Sequence, residues 1–116
     1  MAVERPANCP ELGFYYHYKH DPNGSVNNYA YEVIGVGAHT EEDGRFFVVY
    51  RPLDSQSPVY QAGKLFDLRP LDMFMGEVEV EGQMVPRFRR VEDARFIRYL
   101  TKLKHEMYGS KTEPPI

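Results

Sequence analysis

Along most of this 116-residue chain, apolar and polar positions alternate or gather in short blocks bounded by Gly, Pro and Asn, and only one stretch near the C-terminus repeats at helical spacing. Gly13 to Lys19 is dense in aromatics that suit a half-buried pleated surface, and it ends at His20-Asp21-Pro22-Asn23-Gly24, which has strong turn chemistry. Tyr29 to Ala38 (YAYEVIGVGA) predicts a second strand. Strict alternation puts Gly35 and Gly37 on the face of Tyr31 and Val33, which implies sharp curvature or close backbone approach. Arg45 to Arg51 (RFFVVYR), after the turn Glu41 to Gly44, is a near-continuous apolar run of the kind expected where both faces are covered. Pro52 ends it, Leu53 to Lys64 reads as a loop, Leu65 to Arg69 as a short strand, and Leu71 to Met75 as a single turn.

A hairpin follows. A two-residue turn at Glu81-Gly82 mixes apolar and polar positions on one face. A three-residue loop, Glu81 to Gln83, pairs Val80 with Met84 and Val78 with Pro86, and sets Glu77 against Arg87; this second register is the expected one. From Asp93 to Tyr108 the spacing of Phe96, Ile97, Leu100, Leu103 and Met107 predicts an amphipathic helix, with Asp93 as N-cap and Gly109 past its end.

The length is that of one domain. The expected division is an N-terminal tail (1–12), a β domain (13–91), a helix packed on it (92–108) and a C-terminal tail (109–116). The fold class is mainly β with a C-terminal helix, and nine Tyr and seven Phe without Trp favour short strands over a helical bundle. No stretch approaches the roughly 20 apolar residues that cross a bilayer, and Met1 to Leu12 lacks the apolar centre of a signal peptide, so a cytoplasmic location without membrane contact is expected. Cys9 is the single cysteine, which removes an intrachain disulfide and any thiolate cluster. A formal charge of −3 does not by itself imply a polyanionic partner. Yet seven basic residues stand against two acidic ones between Arg87 and Lys104, a strip that a phosphate backbone would fit and that a solvated helix face with cross-strand ion pairs also explains.

Three passages read together resemble one family: His17-Tyr18-Lys19; then Tyr31 to Glu41 (YEVIGVGAHTE) leading to Val48-Val49-Tyr50-Arg51; then Leu68 to Phe74 (LRPLDMF) with Val85-Pro86-Arg87-Phe88. Their order and wording are similar to the small bacterial domains of domain-of-unknown-function family 1653, over roughly Phe14 to Val91. The resemblance implies a compact antiparallel β domain, placed with small SH3-like barrels, and implies no established reaction. Asp21 to Asn28 and Asp54 to Lys64 lengthen two connections relative to the family's usual pattern, and the helix from Asp93 lies outside it.

The candidate ligand-binding set is His39, Thr40, Glu41, Arg51, Arg69 and Arg87, which stand at strand ends or beside prolines, where a small barrel gathers its rims. Arg51 and Arg69 precede proline, so their backbones are held extended and their guanidinium groups are presented to a carboxylate or phosphate. The competing reading pairs these arginines with Glu77, Glu79, Asp72 or Asp67. His39 beside Glu41 suggests acid–base chemistry, but a histidine at a strand end is more often a polar cap, and no serine or cysteine has a nucleophile's setting. His17, His20 and Asp21 straddle a strand end and point different ways, which argues against a metal site. No residue is singled out as catalytic, and no cofactor or metal is expected. The function classes left open are a module binding an anionic small molecule, nucleotide, nucleic-acid segment or peptide; a small hydrolase at the His39–Glu41 rim; and an assembly module that is a monomer or weak homodimer.

Overall fold

The computed structural model describes residues 5–109. The β-branched and aromatic blocks form antiparallel strands: β1 (Gly13–His17), β2 (Ala30–Ala38), β3 (Phe46–Pro52), β4 (Asp67–Pro70) and β7 (Phe88–Arg90) make one five-stranded sheet in the order β4-β3-β2-β1-β7. β5 (Glu77–Val80) and β6 (Gln83–Pro86) pair apart from it. Two single-turn helices, α1 (Pro58–Gln61) in the expected loop and α2 (Leu71–Phe74) at the expected turn, precede the hairpin, and α3 (Ala94–Tyr108) closes the described chain.

Alternation gives the sheet two apolar faces. Tyr15, Val33, Val48, Tyr50 and Phe88 pack with Leu71 and Phe74 of α2 on one. Phe14, Tyr16, Ala30, Leu53 and Val91 pack with Leu100 of α3 on the other. Asp93 caps α3, its carboxylate accepting from the Arg95 backbone N–H, and Gly109 follows with φ 98°. Leu100 and Met107 are buried, whereas Ile97 turns outward, off the expected apolar stripe.

The curvature expected at the glycines is present, but its geometry differs. A bulge sets Val33 opposite Tyr50 and Gly35 opposite Val49, leaving Ile34 unpaired and exposed. The extra residue inverts the alternation, so Val36 joins the Val33 face and Gly35 and Gly37 move to the other. A Cβ at Gly35 would meet nothing within 4 Å, so bending and not close backbone approach is the local effect.

The expected closed SH3-like barrel does not form: β4 and β7 are the two edges of an open sheet with no ladder between them. Side chains fill the space instead. Phe74 stacks on Phe88 with ring centroids 4.1 Å apart and meets Tyr50 edge-on at 5.4 Å, while Arg69 of β4 lies over the Phe88 ring of β7 at 5.6 Å.

The hairpin takes the register rejected on pattern grounds, with Val80 opposite Gln83, Val78 opposite Val85 and Glu77 opposite Pro86. Glu81 and Gly82 have φ of 51° and 81°, the positive pair of a tight turn whose twist matches the strands. Because Val80 and Met84 are exposed, burial gives no reward for gathering the apolar residues on one face, and turn geometry decides. Arg87 is therefore freed from Glu77, and the chain crosses directly onto β7 beside β1.

Part of the expected N-terminal tail packs on the sheet: Pro10 is buried, Cys9 lies against the α2-face core, and the Glu11 carbonyl accepts from Tyr15 Oη. Tail residues 1–4 and 110–116 lie outside the described residues.

Candidate functional site

The three arginines expected to converge are divided by the sheet. Arg51 sits directly opposite Glu32 in the β2–β3 ladder and so shares its face, toward α3. Its Nε donates to Glu32 Oε1 at 2.9 Å, Lys104 Nζ approaches Oε2 at 2.6 Å, and the guanidinium lies 3.9 Å from the Tyr108 ring centroid. This is the ion-pair alternative realised, with a partner other than those expected. His39 Nδ1 accepts from the backbone N–H groups of Glu41 and Glu42, so it caps the turn after β2, and Thr40 and Glu41 are exposed there.

Arg69 and Arg87 behave differently. Val48 faces Arg69 and Tyr50 faces Asp67 in the β3–β4 ladder, which sends both β4 side chains to the α2 face. Arg69 Nε donates to Tyr50 Oη at 3.1 Å, and Arg87 Nε donates to the Met73 carbonyl at 3.2 Å. Among the described residues, neither guanidinium has a carboxylate within 4 Å, and both are half-buried.

Between them stands His17. β7 pairs with β1 so that Phe88 is opposite His17, and the imidazole meets Phe88 edge-on at 5.1 Å and stacks near Tyr29 at 5.7 Å. Burial, and then the charges of Arg69, Lys19 and Arg87, hold its pKa down at about 4. The ring is therefore neutral near pH 7. Its Nδ1 accepts from the Lys19 backbone N–H at 3.2 Å, which leaves the ring hydrogen on Nε2 as a donor.

The adjoining wall is tyrosine. Tyr31 meets Tyr50 at 5.5 Å and Phe88 at 6.0 Å, both edge-on. Its phenol is pushed up to about 12, first by burial and then by the neighbouring Asp67, Tyr50 and Tyr29, with Arg69 opposing. Burial likewise raises the Asp67 carboxyl, with Arg69 opposing. Beyond Tyr31 the surface opens into a cleft of about 300 Å³ lined by Tyr29, Tyr31, Asp54, Gln56 and Ser57 among others. Tyr29 has φ 51°, a left-handed backbone rare for a residue with a side chain, and its carbonyl accepts from the His17 N–H at 3.0 Å.

The arrangement offers two guanidinium groups, one imidazole N–H and several phenols over an aromatic floor, with the Asp67 carboxyl beside Arg69 and that of Asp54 in the adjoining cleft. Such a surface binds anions through charge-assisted hydrogen bonds. Sequence reasoning found Arg69 and Arg87 but set His17 aside as a weak metal ligand and gave Tyr50 and Asp67 no role in binding. Their common face follows from the β1–β7 and β3–β4 ladders, although the strand alternation of Tyr31 with Val33 was readable. Among the described residues no group of three or more His, Cys, Asp or Glu side chains is placed to hold a metal ion, and no helix is long and apolar enough to cross a membrane.

Sheet and site together define a small antiparallel β protein with one polar, aromatic-lined face and a C-terminal helix on the other. The sequence model of the family described as "Protein of unknown function (DUF1653)" matches residues 13–90, which take in every strand and all the residues of this site, and the chain belongs to that family. Comparison with curated proteins gives no match, and comparison with solved structures gives none either.

Proposed function

We propose that this protein is a binding module that holds an anionic group, phosphate or carboxylate, on Arg69 and Arg87 with His17 Nε2 as a third donor. The observation that carries this reading is that two half-buried guanidinium groups lacking a carboxylate partner face the same neutral histidine. An unmatched positive charge in a partly desolvated setting costs stability, and an incoming anion recovers it. The hydrolase reading draws no support from the geometry, since His39 Nδ1 is committed to its own turn. A reducing, cytoplasmic setting fits the single cysteine.

Isothermal titration with inorganic phosphate and with phosphate- and carboxylate-bearing metabolites tests the proposal. Arg69→Ala and Arg87→Ala are each expected to weaken binding about tenfold or more. Arg45→Ala, at an exposed pair with Glu42, is expected to leave it unchanged. Affinity that ignores both site substitutions while the fold is intact would overturn the reading.

A further inference from the structure

We infer that the ligand is a nucleoside monophosphate, with its phosphate on Arg69, Arg87 and His17 and its base and sugar in the adjoining cleft between Tyr29, Tyr31 and the loop at Asp54 to Ser57. This rests on the anion-binding reading above and narrows it to one chemical class. Three features of the structure support it.

First, the cleft and the arginine wall share residues. Tyr31 lines the cleft and lies close enough to Arg69 and Asp67 for both charges to act on its phenol, and Tyr29 lines the cleft while its ring lies 5.7 Å from His17. A ligand that reaches from one to the other needs an anionic end and a body beside it. Second, the body meets aromatic faces: Tyr29 is 45% exposed and is held there by a left-handed backbone, so a planar base has a pre-positioned ring to stack on. Third, polar groups in the cleft, and Asp67 beside its Tyr31 wall, have unused capacity. Among the described residues the phenols of Tyr29 and Tyr31, the Ser57 hydroxyl and the Asp67 carboxylate make no hydrogen bond. Phenols and hydroxyls serve ribose hydroxyls, and a carboxylate accepts from the amino and imino N–H groups of a base edge. The space of about 300 Å³ is at the lower end of small-ligand sites and is open at one side, which suits a single nucleoside better than a larger cofactor.

Calorimetric titration of the full chain with inorganic phosphate, ribose 5-phosphate, adenosine, guanosine and the four ribonucleoside monophosphates tests the inference. At least one monophosphate is expected to bind about tenfold or more tighter than ribose 5-phosphate, through base stacking. Tyr29→Ala, at an exposed position, is expected to erase that advantage, so that on this variant the monophosphate binds no tighter than ribose 5-phosphate; Arg69→Ala weakens the monophosphate and inorganic phosphate alike. Thermal melts identify any variant that fails to fold, and for such a variant Tyr29→Leu, which keeps an apolar side chain and removes the ring, takes its place. If inorganic phosphate binds through Arg69 but no monophosphate surpasses ribose 5-phosphate, or if Tyr29→Ala and Tyr29→Leu leave the difference intact, the nucleotide inference falls and the anion site stands. If none of the probes binds, both fall.

Discussion

His17 is set apart from the protein's other histidines by what surrounds it. An isolated imidazole titrates near 6.5, but here burial and the charges of Arg69, Lys19 and Arg87 bring it to about 4. Between those two values the unfolded chain binds a proton that the folded chain refuses, so His17 destabilises the fold progressively as pH falls from about 6.5 toward 4, and above 6.5 this penalty is absent. Two-dimensional NMR of the ring is expected to show the neutral form down to about pH 4.5, and His17→Gln is expected to flatten the loss of stability between pH 6.5 and 4. A ring that titrates near 6.5 would mean that the arginines do not face it. Arg69 and Arg87 were legible as candidates because guanidinium beside proline is an informative local feature. His17 was not, because nothing near it in the chain reveals that β7 will lie alongside β1.

The positions of β1, β2 and β3 follow closely from the apolar blocks, because each needs only local pattern and turn chemistry, whereas β4 begins two residues later than expected and β7 was not read as a strand of its own. The hairpin β5–β6 marks where pattern is a poor guide. Its apolar residues are exposed, so the face argument has no energy behind it, and the positive φ pair at Glu81 and Gly82 sets the register. Gly82→Val places a branched side chain at φ 81°, at a cost of about 1–2 kcal/mol. Since the hairpin is hydrogen-bonded apart from the main sheet, amide exchange in β5 and β6 is expected to accelerate by about tenfold while β2 and β3 keep their protection. Equal acceleration throughout would show that the hairpin and the sheet open together. The bulge at Ile34 is of the same kind: Gly35 signalled a bend, but the inversion of faces beyond it depends on pairing with β3.

At the scale of the whole molecule, Glu32 ties three elements together. Its two oxygens hold Arg51 of β3 and Lys104 of α3 in a largely buried cluster roofed by Tyr108. Glu32→Gln leaves two cations facing each other without an anion and is expected to cost about 3 kcal/mol in urea unfolding. Lys104→Met, which keeps the Glu32–Arg51 pair, is expected to cost clearly less; equal losses would mean that packing and not charge holds α3 in place. The helix lies beyond the family match, yet it covers Phe14, Tyr16 and Leu53 with Leu100, so it completes this chain's core.

The sequence by itself determined most element types, the cap and end of α3 and the family, and singled out Arg69 and Arg87, because these depend on side-chain chemistry and spacing within a few residues. Tertiary structure alone decided that the sheet stays open, that Arg51 is neutralised on one face while Arg69 and Arg87 stay unmatched on the other, and that His17 joins them. The physical reason is that charge compensation and desolvation depend on distance in space. In a sheet that distance is set by ladders between residues as far apart as His17 and Phe88, and by a one-residue bulge that inverts which face each side chain occupies.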